Sequence, residues 1–192
     1  MITVLLCYAV YAILVTIFYK YARMAGDLKR FSAFLLICIP TDSVILSILF
    51  AGEIMAAYMD MENDMDVYDL FHIVPIAAII GGIVYKVING YEIQYIINIY
   101  NLIPIIFALI TIKARGLSDT FAMIAYSLYG IYAGIDTFYI ILGFFIGHVL
   151  QFINQTIYCR KKSILFKDKP MMPFLPSLYI GFVIIIVITT YI

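Results

Sequence analysis

The sequence predicts an all-α protein: a polytopic membrane bundle of about six to eight transmembrane helices in a single domain, residues 1–192. Hydrophobic residues make up 65% of the 192 positions and the mean hydropathy is +1.06. Charged residues make up only 12%, whereas a soluble domain carries about a quarter. This composition excludes a soluble globular domain, a disordered chain and a nucleic-acid-binding protein.

Seven apolar segments, separated by polar or glycine-containing breaks, give the predicted helices. All but the short fifth segment are close to the length of about 20 residues that crosses a bilayer. The segments run over residues 2–19, 43–59, 71–88, 93–112, 120–133, 137–158 and 172–192, with a tight turn over residues 134–136. Residues 31–39 form a further apolar piece that ends at Pro40, and the sequence leaves open whether this piece is re-entrant or joins the following span.

The distribution of charge predicts the orientation in the membrane. Lysine and arginine in short loops stay on the cytoplasmic side, and the most basic loop lies between Arg160 and Lys169. Counting back two spans from this loop places Asp119 on the same side. Counting back two more places the acidic stretch from Asp60 to Asp69 there as well. Residues 20–30 reach that side only if the chain turns back at Pro40.

Acidic residues within or beside the spans are candidate functional residues, because placing an ionisable group in a membrane costs free energy. They are Asp42, Glu53, Asp60, Asp119 and Asp136. Two carboxylates held together in a partly dry site share a proton, so one can activate water while the other protonates a carbonyl oxygen. The span count favours Asp60 with Asp119 as this pair, and which one is the base stays open.

Residues 116–119 read Gly-Leu-Ser-Asp and resemble the GxGD motif of the type IV prepilin and preflagellin peptidases, with Ser118 in place of the second glycine. Residues 169–178, Lys-Pro-Met-Met-Pro-Phe-Leu-Pro-Ser-Leu, resemble the proline-rich closing segment of that family. Upstream, Asp60 ends a span, and residues 67–70 are similar to the pattern that follows the first aspartate of the family. The resemblance covers residues 43–192, the peptidase-like core.

This resemblance implies a multi-pass aspartic endopeptidase of the cell membrane. Such enzymes cut basic leader peptides from prepilin-like or preflagellin-like precursors at the cytoplasmic face, while the hydrophobic helix of the substrate docks among the spans. Asp60 and Asp119 would form the catalytic dyad, with Asp64 or Asp66 as alternatives to Asp60. The expected partners are these precursors and the bilayer, with no nucleic acid, cofactor or metal. Bacterial members often carry a four-cysteine zinc site, whereas this chain has three scattered cysteines: Cys7, Cys38 and Cys159.

Two other functions are also compatible with the sequence. In a small transporter or channel subunit, Asp42, Glu53 and Asp136 would line a polar path through the membrane. The sequence has none of the inverted internal repeats that many transporters show. A non-catalytic assembly protein with the same fold is the other alternative.

Several of these residues also have simpler structural interpretations. Asp42 and Asp136 each precede a predicted helix and are expected to be N-caps. Asp119 is placed to cap the fifth helix in the same way. For Glu53, which lies inside an apolar stretch, we expect an internal hydrogen bond.

Histidine and glycine residues add two expectations about packing. Both histidines are expected to be hydrogen-bonded within the structure rather than to bind metal. The pairs Gly130/Gly134 and Gly143/Gly147 have the four-residue spacing that allows helices to pack closely in membranes.

Overall fold

The computed structural model describes residues 2–21, 32–33, 41–61, 69–91, 98–166 and 173–191. These residues form helices and no strands, which confirms the all-α prediction. The helices are α1 (Ile2–Tyr21), α2 (Val44–Met61), α3 (Leu70–Ile88), α4 (Ile103–Ile110), α5 (Ile112–Arg115), α6 (Leu117–Ala133), α7 (Thr137–Lys162) and α8 (Leu175–Tyr191), with a 3₁₀ turn over Ile99–Leu102.

Four of the described helices, α1, α2, α3 and α7, are long and apolar enough to cross a membrane. Helix α8 and residues 99–110 are shorter apolar helical segments. The predicted helices at 2–19, 43–59, 71–88, 137–158 and 172–192 correspond to α1, α2, α3, α7 and α8 within a few residues at each end. The fifth predicted helix corresponds to α6 and begins at Leu117, three residues before the expected start.

The fourth predicted helix, over residues 93–112, is wrong as one continuous element. Its described part begins with the 3₁₀ turn and becomes α-helical only at Ile103. Pro104 stands in the first turn of α4. A proline ring fits there, and no hydrogen bond is lost because N–H groups of the first turn have no acceptor within the helix. The helix then ends at Ile110, and residues 92–97 lie outside the described part of the chain.

Helix α2 is the centre of the bundle. It packs against α1, α3 and α8, and twelve of its 18 residues are buried. Small side chains let its neighbours approach closely: a Cβ atom added to Gly52 would overlap the backbone carbonyl oxygen of Phe71 in α3. The position of α3 against α2 therefore depends on glycine at this site.

Helices α7 and α8 also cross closely. The Cα hydrogens of Gly143 and Gly147 face the backbone of α8 near Gly181 and Leu178, so that a Cβ atom on Gly147 would lie 3.0 Å from the Cα atom of Leu178. This confirms the expectation for the Gly143/Gly147 pair. The Gly130/Gly134 expectation holds only in part, because Gly134 ends α6 with φ +72° instead of packing against a helix.

Three contacts define one end of the bundle. The rings of Phe18 at the end of α1 and Phe71 at the start of α3 lie 5.2 Å apart. The side chain of Ser118 at the start of α6 bonds to the first turn of α3, and that of Asp60 at the end of α2 bonds to the start of α8. Helix α7, which runs antiparallel to α8, ends on this side too. We call this the Ser118 end.

Substitution of Gly52 by alanine is expected to destabilise the bundle by about 1–3 kcal/mol, because the added methyl group forces α2 and α3 apart. Gly81→Ala is the matched control. Gly81 also lies inside a helix, but a Cβ atom there meets nothing within 4 Å, and alanine favours helix over glycine. Thermal unfolding in detergent should therefore show a lower Tm for Gly52→Ala and an equal or higher Tm for Gly81→Ala. Equal Tm values for Gly52→Ala and the unmodified protein would contradict the close contact.

Candidate functional site

A glutamate and a histidine form a pair in the core of the bundle. Oε1 of Glu53 in α2 lies 2.9 Å from Nδ1 of His72 in α3. The two side chains are 1% and 0% exposed. Ionisable groups so far from water are kept in structures when they are paired and hydrogen-bonded, which is the case for both.

Each member of the Glu53–His72 pair has a further hydrogen-bond partner. On one side, Nε2 of His72 lies 2.8 Å from Oγ of Ser118 in α6. On the other side, the hydroxyl group of Tyr126, which is fully buried, hydrogen-bonds to Glu53. The result is a continuous polar chain, Ser118–His72–Glu53–Tyr126, that crosses from α6 through α3 to α2 and back to α6. Its end at Ser118 is only partly buried.

With Glu53 ionised and His72 neutral, the hydrogen atoms along this chain have one arrangement. A carboxylate only accepts hydrogen bonds, so ionised Glu53 takes the hydrogen of Nδ1 and that of the Tyr126 hydroxyl. A neutral imidazole with its hydrogen on Nδ1 has a free lone pair on Nε2. His72 therefore accepts the hydroxyl hydrogen of Ser118.

Local sequence explains why these residues reach one another. Glu53 lies two turns before the last residue of α2, and His72 lies in the first turn of α3, which returns antiparallel to α2. Ser118 is the second residue of α6. His72 and Ser118 thus sit at helix starts at the Ser118 end, and Glu53 reaches His72 from two turns deeper in the bundle.

Asp60 binds the start of the last helix. Its Oδ2 atom accepts the backbone N–H group of Leu175 at 2.9 Å, and the backbone of Phe174 also donates to this carboxylate. The first N–H groups of a helix have no acceptor within the helix. Asp60 therefore caps α8 from the end of α2, and it does so through residues of the proline-rich segment.

Asp119 is the third residue of α6 and is partly buried. The N-cap position of this helix is held by Gly116 at φ +106°, with no side-chain cap. The interpretation of Asp119 as the N-cap is therefore wrong, because glycine takes the unusual backbone conformation that precedes the helix. A carboxylate in the first turn is still favourable toward the helix dipole.

Asp60 and Asp119 both belong to the Ser118 end. Asp60 follows Glu53 by seven residues, which is about 10 Å along α2 toward that end. Asp119 directly follows Ser118, which hydrogen-bonds to the partner of Glu53. Asp64 and Asp66, the alternatives for the first aspartate, lie outside the described residues.

The acids of the transporter hypothesis lie at different depths in the bundle. Asp42 is exposed before the start of α2, while Glu53 is buried in the second half of that helix. Asp136 precedes α7 and its Oδ1 atom accepts the N–H group of Phe138 at 2.7 Å, which confirms the predicted cap. The cap expected at Asp42 is wrong, because Ser43 Oγ accepts the N–H group of Leu46 instead.

Sequence reasoning found Glu53 as an internal hydrogen-bonding residue and both histidines as hydrogen-bonded, and these expectations are confirmed. It missed the role of Ser118, which it noted only as a replacement for glycine. His72 is 19 residues from Glu53 and 46 from Ser118, so no local spacing connects them. The one usable signal was a glutamate and a histidine in neighbouring apolar segments.

No protein-family model, curated protein or solved structure matches this chain. Among the described residues, no group of three or more histidine, cysteine, aspartate or glutamate side chains is arranged to hold a metal ion. The site is therefore interpreted from its own geometry and from the motifs in the sequence.

A double-mutant cycle tests the buried pair. Glu53→Leu alone should destabilise the bundle by about 3–5 kcal/mol, because it leaves His72 buried without its partner. His72→Leu should do the same to Glu53. The double variant should be more stable than the sum predicts, with a coupling of about 0.5–3 kcal/mol. Chemical unfolding in detergent measures all four proteins.

The control cycle pairs Glu53→Leu with Asp136→Ala. Asp136 caps α7 through Phe138 and shares no partner with Glu53, so the two effects should add. A zero coupling for Glu53 with His72 would show that the pair contributes nothing as a pair.

Proposed function

We propose that this chain is a multi-pass cell-membrane endopeptidase of the aspartic type, which removes the leader peptide from prepilin-like or preflagellin-like precursors. One observation carries the proposal. Asp60, the expected first aspartate, hydrogen-bonds to Phe174 and Leu175 in the proline-rich segment. These two sequence features of the resemblance are 115 residues apart along the chain, and they are in direct contact in the fold.

The third feature, residues 116–119, is tied to the same end of the bundle. Ser118 hydrogen-bonds to His72 in the first turn of α3. The start of α6 is therefore fixed beside α3, the helix that follows the acidic stretch. The described residues of these motifs, among them Asp60, Ser118 and Leu175, therefore lie at the Ser118 end. This convergence is what a site assembled from distant segments requires.

The charge distribution supports a cytoplasmic location of the Ser118 end. Positive residues of the described segments gather there, at the ends of α1 and α7 and in α5. They are Lys20, Lys113, Arg115, Arg160, Lys161 and Lys162. Lys86, at the end of α3, lies on the opposite side, where its Nζ atom donates to the carbonyl oxygen of Tyr132 at 2.6 Å. This bias follows the positive-inside rule.

The proposed mechanism uses the two aspartates as a coupled acid and base. One carboxylate takes a proton from water, whose oxygen attacks the scissile carbonyl carbon. The other carboxylic acid protonates the carbonyl oxygen, and the C–N bond then breaks as the amine takes up a proton. The hydrogen bond from Leu175 holds one oxygen of Asp60 in a fixed direction.

The expected substrate carries a positive leader and an apolar helix. The acidic stretch after α2 attracts such a leader by charge complementarity, and Asp69 is exposed at the start of α3. An apolar helix of the precursor approaches through the bilayer, where α1, α3 and α7 present mostly exposed surfaces.

Asp119→Asn and Asp60→Asn are each expected to abolish cleavage, because asparagine can neither activate water nor supply the proton. Asparagine keeps the size of the side chain, and its carbonyl oxygen still accepts the N–H group of Leu175, so the fold should persist. The measurement is cleavage of a synthetic precursor peptide, with a basic leader and an apolar helix, by purified protein in detergent.

Asp136→Asn is the matched control, since asparagine is also a good N-cap and Asp136 lies outside the proposed site. It should cleave at the rate of the unmodified protein. Full activity of the Asp119→Asn protein would exclude the aspartic mechanism. Binding of the peptide without cleavage by the unmodified protein would support an assembly protein instead.

A further inference from the structure

The polar chain at the Ser118 end contains a feature that the aspartic mechanism does not use. A serine hydroxyl, a histidine and a carboxylate stand in series, at 2.8 Å and 2.9 Å. The same roles, nucleophile, base and orienting acid, recur in serine hydrolases of unrelated folds and are recognised by geometry rather than by sequence order. The order of burial also fits, since only the serine reaches the surface.

The geometry points to Ser118 as the nucleophile of a second hydrolytic site, with His72 as its base and Glu53 as the residue that orients the base, acting on a carboxylic ester carried on an acyl chain at the membrane interface. This site uses neither Asp60 nor Asp119, and it does not depend on the proposed peptidase activity.

The hydrogen bonds of Glu53, His72 and Ser118 indicate the chemical role of each. Glu53 lies 2.9 Å from Nδ1 of His72, and ionised Glu53 would hold the hydrogen on Nδ1 and leave the lone pair of Nε2 directed at Oγ of Ser118. Tyr126 donates to Glu53 and helps to hold that carboxylate in a fully buried position. A hydroxyl group is a weak nucleophile until an adjacent base removes its proton, and His72 is placed to do so.

The start of α6 supplies donors for the negative oxygen that forms during attack. The N–H groups of Leu117 and Ser118, which open α6, have no acceptor within the helix, and Gly116 at the N-cap has no side chain that could accept from them. Backbone N–H groups beside a nucleophile stabilise a tetrahedral intermediate. Ser118 is itself the second residue of this helix.

The reaction balances without any further reagent. Oγ of Ser118 bonds to the carbonyl carbon of the ester, and its proton passes to Nε2 of His72. The bond from that carbon to the alcohol oxygen breaks, and His72 returns the proton to the departing alcohol. Water then attacks the acyl-serine, gives a proton to His72, and releases a carboxylic acid as the proton returns to Oγ.

The surroundings of the site favour an acyl chain as the group attached to the carbonyl. Leu117, next to Ser118, is 49% exposed, and Ile73, next to His72, is 50% exposed. Lys113, four residues before Leu117, is also exposed. Apolar side chains beside a charged one are typical of the membrane interface, where the ester groups of acyl chains lie.

A fluorophosphonate probe tests the nucleophile, because it reacts with activated serine hydroxyl groups. The full chain in detergent should be labelled at Ser118, as located by mass spectrometry. Ser118→Ala should lose the label. His72→Gln should slow labelling by on the order of 10²-fold or more, because the base is absent. Glu53→Gln should slow it as well, because its amide donates to Nδ1 and moves the hydrogen of the ring to Nε2.

The matched control is Ser127→Ala. Ser127 is a buried serine of the same helix, and its hydroxyl donates to the carbonyl oxygen of Met123. This variant should be labelled at the rate of the unmodified protein. Absence of labelling in the unmodified protein, or labelling located at another residue, overturns the proposal. The readout needs no precursor peptide, so its outcome is separate from that of the peptidase assay.

Cysteine substitution gives a second test that leaves His72 and Glu53 in place. A thiol beside a histidine base is converted to the reactive thiolate. Iodoacetamide should therefore alkylate the Ser118→Cys protein at the new thiol at least tenfold faster than the Leu117→Cys protein near neutral pH. Position 117 is the more exposed of the two, so faster alkylation there would overturn the activation of position 118 by His72.

Discussion

The burial of Glu53 constrains how α2, α3 and α6 pack against one another. A carboxyl group surrounded by apolar helices must find hydrogen-bond partners, since a buried carboxyl group without them costs several kcal/mol. Its donors come from two other helices: Nδ1 of His72 in α3 and the hydroxyl group of Tyr126 in α6. Helices α2, α3 and α6 are therefore held in one relative position, and a shift of one turn in any of them would break the network.

Apolar packing alone would not fix that position. Side chains of leucine, isoleucine and phenylalanine attract one another without much direction, and lipid is as apolar as the helices themselves. Glycine contacts, at Gly52 for α3 and at Gly143 and Gly147 for α8, set how closely the helices approach. The polar bonds of Glu53 and Asp60 then set their register along the bundle axis.

Several carboxyl and hydroxyl groups lie at the Ser118 end because helices start there. Helix starts expose N–H groups that need acceptors, so carboxylates and hydroxyls are retained beside them. Asp60 serves the start of α8, and Asp119 stands in the first turn of α6. The same end carries most of the positive charge of the described segments. The same residues therefore serve in helix capping and in the proposed hydrolysis. A substitution that keeps the size of the side chain but removes its charge tests the role in hydrolysis while it preserves the role in the fold.

Sequence alone determined the helical class, most helix boundaries, the cap at Asp136 and the close crossing at Gly143 and Gly147, because these features depend on composition or on residues within one or two turns. It failed where neighbours compete: Ser43 rather than Asp42 caps α2, and Pro104 divides the predicted fourth helix. The partners of His72 were decided only by the tertiary structure. Glu53 and Ser118 lie 19 and 46 residues away along the chain, and a buried polar group finds its partner through helix packing, which no local pattern records.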